Sequence, residues 1–192
     1  MACKNRKNGK NRLILASASP RRREILTREG YVFETAPSGA SELESASDPR
    51  SLVRGNALLK AREVAARSEY AGCKVLGADT VVALDGEILG KPRDEAEAKR
   101  MLSALSGREH LVVTGYAVIF PGGREICGDC VTRVKFRKLS EAEIDSYVAT
   151  GEPLDKAGAY GIQELGGALV ESVSGDIDNV IGLPIGDIKK YL

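Results

Sequence analysis

Ser17-Ala18-Ser19-Pro20-Arg21-Arg22-Arg23 sets two hydroxyls and three guanidiniums in one short stretch. Ser19 suits a helix N-cap, and Pro20 suits the first helical position, where its missing N–H is no loss. A helix start offers free N–H groups and the positive end of the dipole. With forked guanidiniums beside it, the stretch is an anion site by composition. Five more features carry reactive groups: the loop holding Glu42 and Glu44, Lys60, Asp79-Thr80, Lys91, and the stretch Asp155 to Gln163. Each has a plainer reading alone, as a solvated turn, a surface lysine or a local cap. Together they offer cations for a polyphosphate, carboxylates for a divalent metal, and an aspartate to activate water.

Composition narrows the partner. The chain has 192 residues, 43% hydrophobic and 29% charged, which suits one soluble domain or two closely joined lobes. Residues 1–12 hold five of the 28 Lys and Arg and no acid, leaving 23 basic against 27 acidic side chains in the body. A slightly acidic body argues against a nucleic-acid binder and fits a small anionic ligand met by a few placed cations. No apolar run approaches a membrane span, and no apolar segment follows the basic start as a secretory signal would require. Residues 1–11 read as a disordered basic tail and 12–192 as one domain. Cys127 and Cys130 fall within an expected strand, where positions three apart face opposite sides, so free thiols in a reducing cytosol are expected.

The elements that must position these groups follow from the pattern. Leu13 to Ala16 is a short buried strand, Pro20 to about Glu29 a helix closed by Gly30, and Val32 to Thr35 a second strand. Asp48-Pro49 opens a helix to about Arg67, with Lys60 beside its apolar stripe. Lys74 to Ala78 is a strand ending at Asp79-Thr80, the usual ligand end in an open α/β sheet. Val81 to Leu84 and Glu87 to Leu89 flank the turn signal Asp85-Gly86, and Gly90-Lys91-Pro92 makes a tight corner. A helix over 96–105 and antiparallel strands between 108 and 136 follow, the latter a second sheet or an extension of the first. Ser140 and Glu143 form a capping box for a helix to Thr150. The Gly-rich stretch 151–163 reads as a loop of the kind that is either functional or mobile, 168–173 as a strand, and Gly182-Leu183-Pro184 leads into a closing helix.

Six ordered strings then carry a resemblance. They are Ser-Ala-Ser-Pro-Arg-Arg (17–22), Gly-Ala-Asp-Thr (77–80), Gly-Lys-Pro (90–92) and Leu-Ser-Gly with His110 and Thr114-Gly115. Glu-Pro-Leu-Asp-Lys-Ala-Gly-Ala-Tyr-Gly-Ile-Gln (152–163) and Asn-Val-Ile-Gly-Leu-Pro (179–184) complete the set. Across the body the sequence resembles the Maf family of nucleotide pyrophosphatases, with the poorest match around 37–47. The resemblance implies a Maf/ITPase-like elongated mixed sheet in two lobes with a central cleft. It also implies a cytoplasmic homodimer, a divalent cation (Mg²⁺ or Mn²⁺), and hydrolysis of nucleoside triphosphates to monophosphate and diphosphate. No nucleic acid and no membrane partner is expected. Asp79 would be the proton acceptor, with Glu42 and Asp79 on the metal. Ser17, Ser19, Arg21, Arg22, Lys60 and Lys91 would bind the substrate, and Arg21, Thr80 and Gln163 would set base choice. The Thr80 and Gln163 strings look like the branch acting on dTTP and UTP, and the Thr80 hydroxyl could donate or accept. Two other readings are a non-catalytic nucleotide-binding regulator of septum formation, and the same chemistry on 7-methyl-GTP. No Gly-x-x-x-x-Gly-Lys-Ser/Thr string occurs, which argues against a P-loop ATPase.

Overall fold

The computed structural model describes residues 12–192, so the expected tail over 1–11 lies outside the described residues. One mixed seven-stranded sheet runs through the protein. β1 (Leu13–Leu15) pairs in parallel with β2 (Phe33–Thr35) on one side and with β3 (Lys74–Leu84) on the other. From β3 the sheet continues antiparallel through β5 (Glu109–Ile119) and β6 (Glu125–Phe136) to β7 (Val170–Ser174), while β4 (Glu87–Leu89) folds back on β3. The strands between 109 and 136 therefore extend the first sheet and form no second one.

The helices cover both faces. α1 (Pro20–Arg28), α5 (Ile177–Ile181) and α6 (Ile185–Ile188) lie on one, where Leu15, Ile25, Leu26, Leu76, Val118 and Leu183 pack together. α2 (Pro49–Ala65) lies on the other, over Ile14, Val75 and Ala117. The alternation of Val75 with Leu76 and of Ala117 with Val118 between these clusters is the period-two signature of a sheet buried on both sides. Beyond Thr80 a third cluster gathers Val82, Leu89 and Phe136 with α3 (Glu95–Leu105) and α4 (Glu141–Val148). The first two clusters, on the two faces of the sheet, make one lobe and the third makes the other, and the sheet passes through both.

Two features of β3 set up the site. First, it is a single strand of 11 residues. Asp79 and Thr80 are therefore mid-strand and not at a strand end, and Val81 to Leu84 continue the strand up to the Asp85-Gly86 turn. Asp85 and Gly86 take φ of 51° and 86° there, the positive values of a type I′ hairpin. Second, β1 covers one edge of β3 only over Lys74–Leu76, and β4 covers the same edge only over Val82–Leu84. Gly77 to Val81 have no strand neighbour on that side, and the resulting notch gives access to both faces of the strand.

α2 approaches the sheet closely because glycine faces it on two adjacent strands. A Cβ on Gly77 would sit 2.3 Å from the Ala57 carbonyl oxygen, and one on Gly115 2.3 Å from the Val53 carbonyl carbon. Only glycine allows that backbone approach. Elsewhere the boundaries shift modestly. Val32 is outside β2 and 93% exposed, α2 stops at Ala65, and β7 starts at Val170. The expected closing helix is α6 followed by a 3₁₀ turn over Lys189–Tyr191, and α5 was not anticipated. The Gly-rich stretch is locally ordered as 3₁₀ turns at Glu152–Asp155 and Ala157–Ala159.

Candidate active site

The notch opens into a cleft of about 690 Å³, within the usual range for a small-molecule site. Ser17, Ser19, Arg21, Arg22, Glu42, Lys60, Asp79, Thr80, Lys91 and Gln163 all line it, so the fold brings every expected site residue together.

Asp79 and Thr80 are neighbours on β3 and so point to opposite faces of the sheet. On the α2 face, both Asp79 oxygens are held by that helix. Asn56 Nδ2 donates to Oδ2 at 3.1 Å and Lys60 Nζ to Oδ1 at 2.7 Å. Positions 56 and 60 are one turn apart on α2, so both reach the same carboxylate. Lys60 also lies 3.0 Å from Glu42 Oε1. The ammonium thus bridges the two expected metal carboxylates, one buried and one half-exposed. Asn56 is itself buried and fixes the acidic loop, accepting from Leu43 N at 2.7 Å and donating to Leu43 O at 3.2 Å. Asn56 escaped the sequence reading. The signal was there, since it is a polar residue inside the apolar stripe of Leu52, Val53, Ala57 and Ala61.

On the other face, Arg22 is the hub. Its Nε donates to Gly182 O at 2.9 Å, Nη1 to Ser17 Oγ at 3.1 Å and Nη2 to Thr80 Oγ1 at 3.2 Å. Burial pulls this guanidinium below the ordinary arginine value, while the charge of Asp79 pushes the other way. Arginine's ordinary value is high enough that it stays charged. Three of its five N–H groups therefore hold the site together, where the sequence reading had them free for phosphate. Thr80 meets the Thr114 hydroxyl at 2.9 Å, and Thr114 donates to the Asn179 carbonyl oxygen at 2.9 Å.

Between the two faces sits the start of α1. Ser19 caps it by accepting from Arg22 N at 3.4 Å, and Ser17 Oγ accepts from Ser19 N at 3.2 Å. Arg21 reaches over the cleft to Asp155 at 3.6 Å. Asp155 also pairs with Lys156 at 2.9 Å, and Lys156 is buried, a cation of this wall that the sequence reading left without a role. Lys91 and Gln163 are exposed on the rim. His110 is not at the site's surface. It is buried against Phe136 and bonded through Nε2 to Tyr160 OH at 2.8 Å, behind the cleft wall. Cys73, Cys127 and Cys130 are free thiols.

The donor chemistry suits a divalent cation. Two hard carboxylate oxygens converge on one point already held by a positive charge, the ligand type that hard divalent cations prefer. No cluster of three or more His, Cys, Asp or Glu that could hold a metal gathers among the described residues. No helix among them is long and apolar enough to cross a membrane.

The family model for Maf-like protein matches residues 12–192. The dTTP/UTP pyrophosphatase of Thermococcus kodakarensis is 57% identical over 180 residues, covering 93% of this chain and 94% of that protein. The dTTP/UTP pyrophosphatase of Desulfitobacterium hafniense is 51% identical over 185 residues, covering 94% of this chain and 83% of that protein. Among solved structures, a nucleoside-triphosphatase (dITP/XTP pyrophosphatase) of Mycobacterium abscessus overlaps 67% of this chain and 75% of its own. It does so at 20% identity, with a TM-score of 0.42.

Proposed function

The chain belongs to the family of Maf-like proteins, and on that premise we propose that it hydrolyses dTTP and UTP to the nucleoside monophosphate and diphosphate. The observation that carries this is Lys60, held between Glu42 and Asp79 and lining the same cleft as the start of α1. A triphosphate lying along that start would meet the N–H groups near Ser19, Arg21 and the rim lysine Lys91. Lys60 would leave Asp79 Oδ1 for a phosphate oxygen and neutralise charge building on the leaving diphosphate. Asn56, clamped to the Leu43 backbone on both its amide groups, would keep Oδ2 in place. The freed Oδ1 then takes the proton of the attacking water, whose oxygen bonds to the α-phosphorus as the α–β bridging bond breaks. A bound Mg²⁺ or Mn²⁺ would be held by Glu42 and Asp79 and would polarise the phosphoryl oxygens. Thr80, Gln163 and Arg21 would face the base. The reading includes a homodimer working in the cytoplasm, as the family resemblance implies.

The test is the product pair. Incubation with dTTP, followed by ³¹P NMR, should show dTMP and diphosphate as primary products. Primary formation of dTDP and orthophosphate would overturn the reading.

A further inference from the structure

The Thr80 hydroxyl looks ambivalent in the sequence, able to donate or accept. Its surroundings remove that freedom. The Asn179 carbonyl oxygen can only accept, so the Thr114 hydroxyl proton is committed to it at 2.9 Å. Thr114 Oγ1 then faces Thr80 with lone pairs alone, and the 2.9 Å contact between the hydroxyls requires Thr80 to donate to Thr114. Arg22 Nη2 fills one lone pair of Thr80 at 3.2 Å. What remains on Thr80 is a single lone pair beside the cleft.

The anchor of this chain is rigid. Thr114 and Asn179 are fully buried. Asn179 Nδ2 donates to Val112 O at 3.0 Å and Thr132 Oγ1 at 2.9 Å, which fixes α5 to β5 and β6. Arg22 closes the ring by donating to Gly182 O just past α5. The Asn179 carbonyl oxygen also accepts from Gly182 N at 3.0 Å, so a Thr114 hydroxyl turned away from it would set two sets of lone pairs against each other at 2.9 Å.

We propose that Thr114 and Asn179 are specificity-determining positioning residues, which hold Thr80 as a pure acceptor so that it pairs with a base N3–H and repels a base N3 lone pair. The proposal rests on the reading of Thr80 as facing the base. Uracil and thymine present N3–H; cytosine presents a bare N3. A hydroxyl free to rotate would satisfy either, and the selection would be lost. Fixing its polarity leaves cytosine with two lone pairs opposed in a desolvated site, the arrangement that makes hydrogen-bond selection steep.

The experiment measures kcat/KM for UTP and CTP in the wild type, Thr114→Val, Thr114→Ser and Thr80→Ala. Thr114→Val keeps the shape and removes the hydroxyl, so the UTP/CTP ratio should fall at least tenfold, with CTP turnover holding or rising. Thr114→Ser restores the hydroxyl and should return the ratio to within about twofold of wild type. If Thr114→Val lowers both substrates alike while Thr80→Ala collapses the ratio, Thr114 is structural only and the proposal falls, leaving the base reading intact. If Thr80→Ala also leaves the ratio unchanged, the base reading of Thr80 falls and takes the proposal with it. Should the valine variant not fold, Thr114→Cys, a far weaker acceptor, is measured against the same ratio.

Discussion

Asp79 offers each of its oxygens to a different donor, and the two donors differ in how easily they can leave. Asn56 is locked by the Leu43 backbone, whereas Lys60 is a charged tip on a long stem, shared with Glu42. In the proposed mechanism Oδ1 is therefore the oxygen of Asp79 that takes the proton. Asp79→Asn keeps the size and removes the base, and turnover of dTTP should fall about a hundredfold or more while binding survives. Steady-state rates set beside calorimetric affinity for a non-hydrolysable triphosphate check this. Near-normal turnover would move the base to Glu42. Most of these residues were legible in the sequence, because cations, carboxylates and a helix cap announce themselves by type. The roles of Asn56, Thr114 and Asn179 were not, although Asn56 stands out as a polar residue in an apolar stripe and the other two lie inside the strings that carry the resemblance. Their importance lies in which partner each hydrogen bond points to, and residue type does not encode that.

At the scale of elements, the site depends on how near α2 lies to β3 and β5. Gly77→Ala or Gly115→Ala would drive a methyl into the helix backbone, since the nearest atoms are at 2.3 Å. Overpacking of this kind costs about 1–3 kcal/mol or more. The melting temperature should drop by about 2–4 °C for each kcal/mol. Turnover should fall further than stability accounts for, because a displaced α2 withdraws Asn56 and Lys60 from Asp79. Gly39→Ala, with open space around its Cβ, is the control. Either glycine variant melting and turning over like wild type would sink the argument. The helices and hairpin turns were readable from caps, periodicity and Asp85-Gly86. The continuity of β3 was not, because a charged residue in mid-strand looks like an end until its partners on α2 are known.

At the scale of the whole molecule, stability near neutral pH has an identifiable acid limit. Burial against Phe136 and Tyr160 lowers the His110 pKa from 6.5 to about 4. The unfolded chain binds the proton first, so this contribution is complete above pH 6.5 and is lost as pH falls toward about 4, amounting to about 3 kcal/mol. Carboxylates such as Glu63 and Glu143, held near 2 by their hydrogen bonds, act lower on the scale. Melting temperature should therefore decline between pH 6.5 and 4.5 in the wild type, with a shallower decline in His110→Gln; equal slopes would remove His110 as the cause. The sequence pointed to a mixed α/β fold, but left open whether one sheet or two would form, since strand order depends on pairings far apart in the chain. The notch in β3 has one more consequence. Asp79 and Thr80 are a single peptide bond apart, yet the first answers to α2 and the second to α1, β5 and α5. On the proposed roles, the general base and the base-facing hydroxyl thus take their hydrogen bonds from separate sets of neighbours. Descent can retune one while leaving the other untouched, and a new preference can arise on old chemistry.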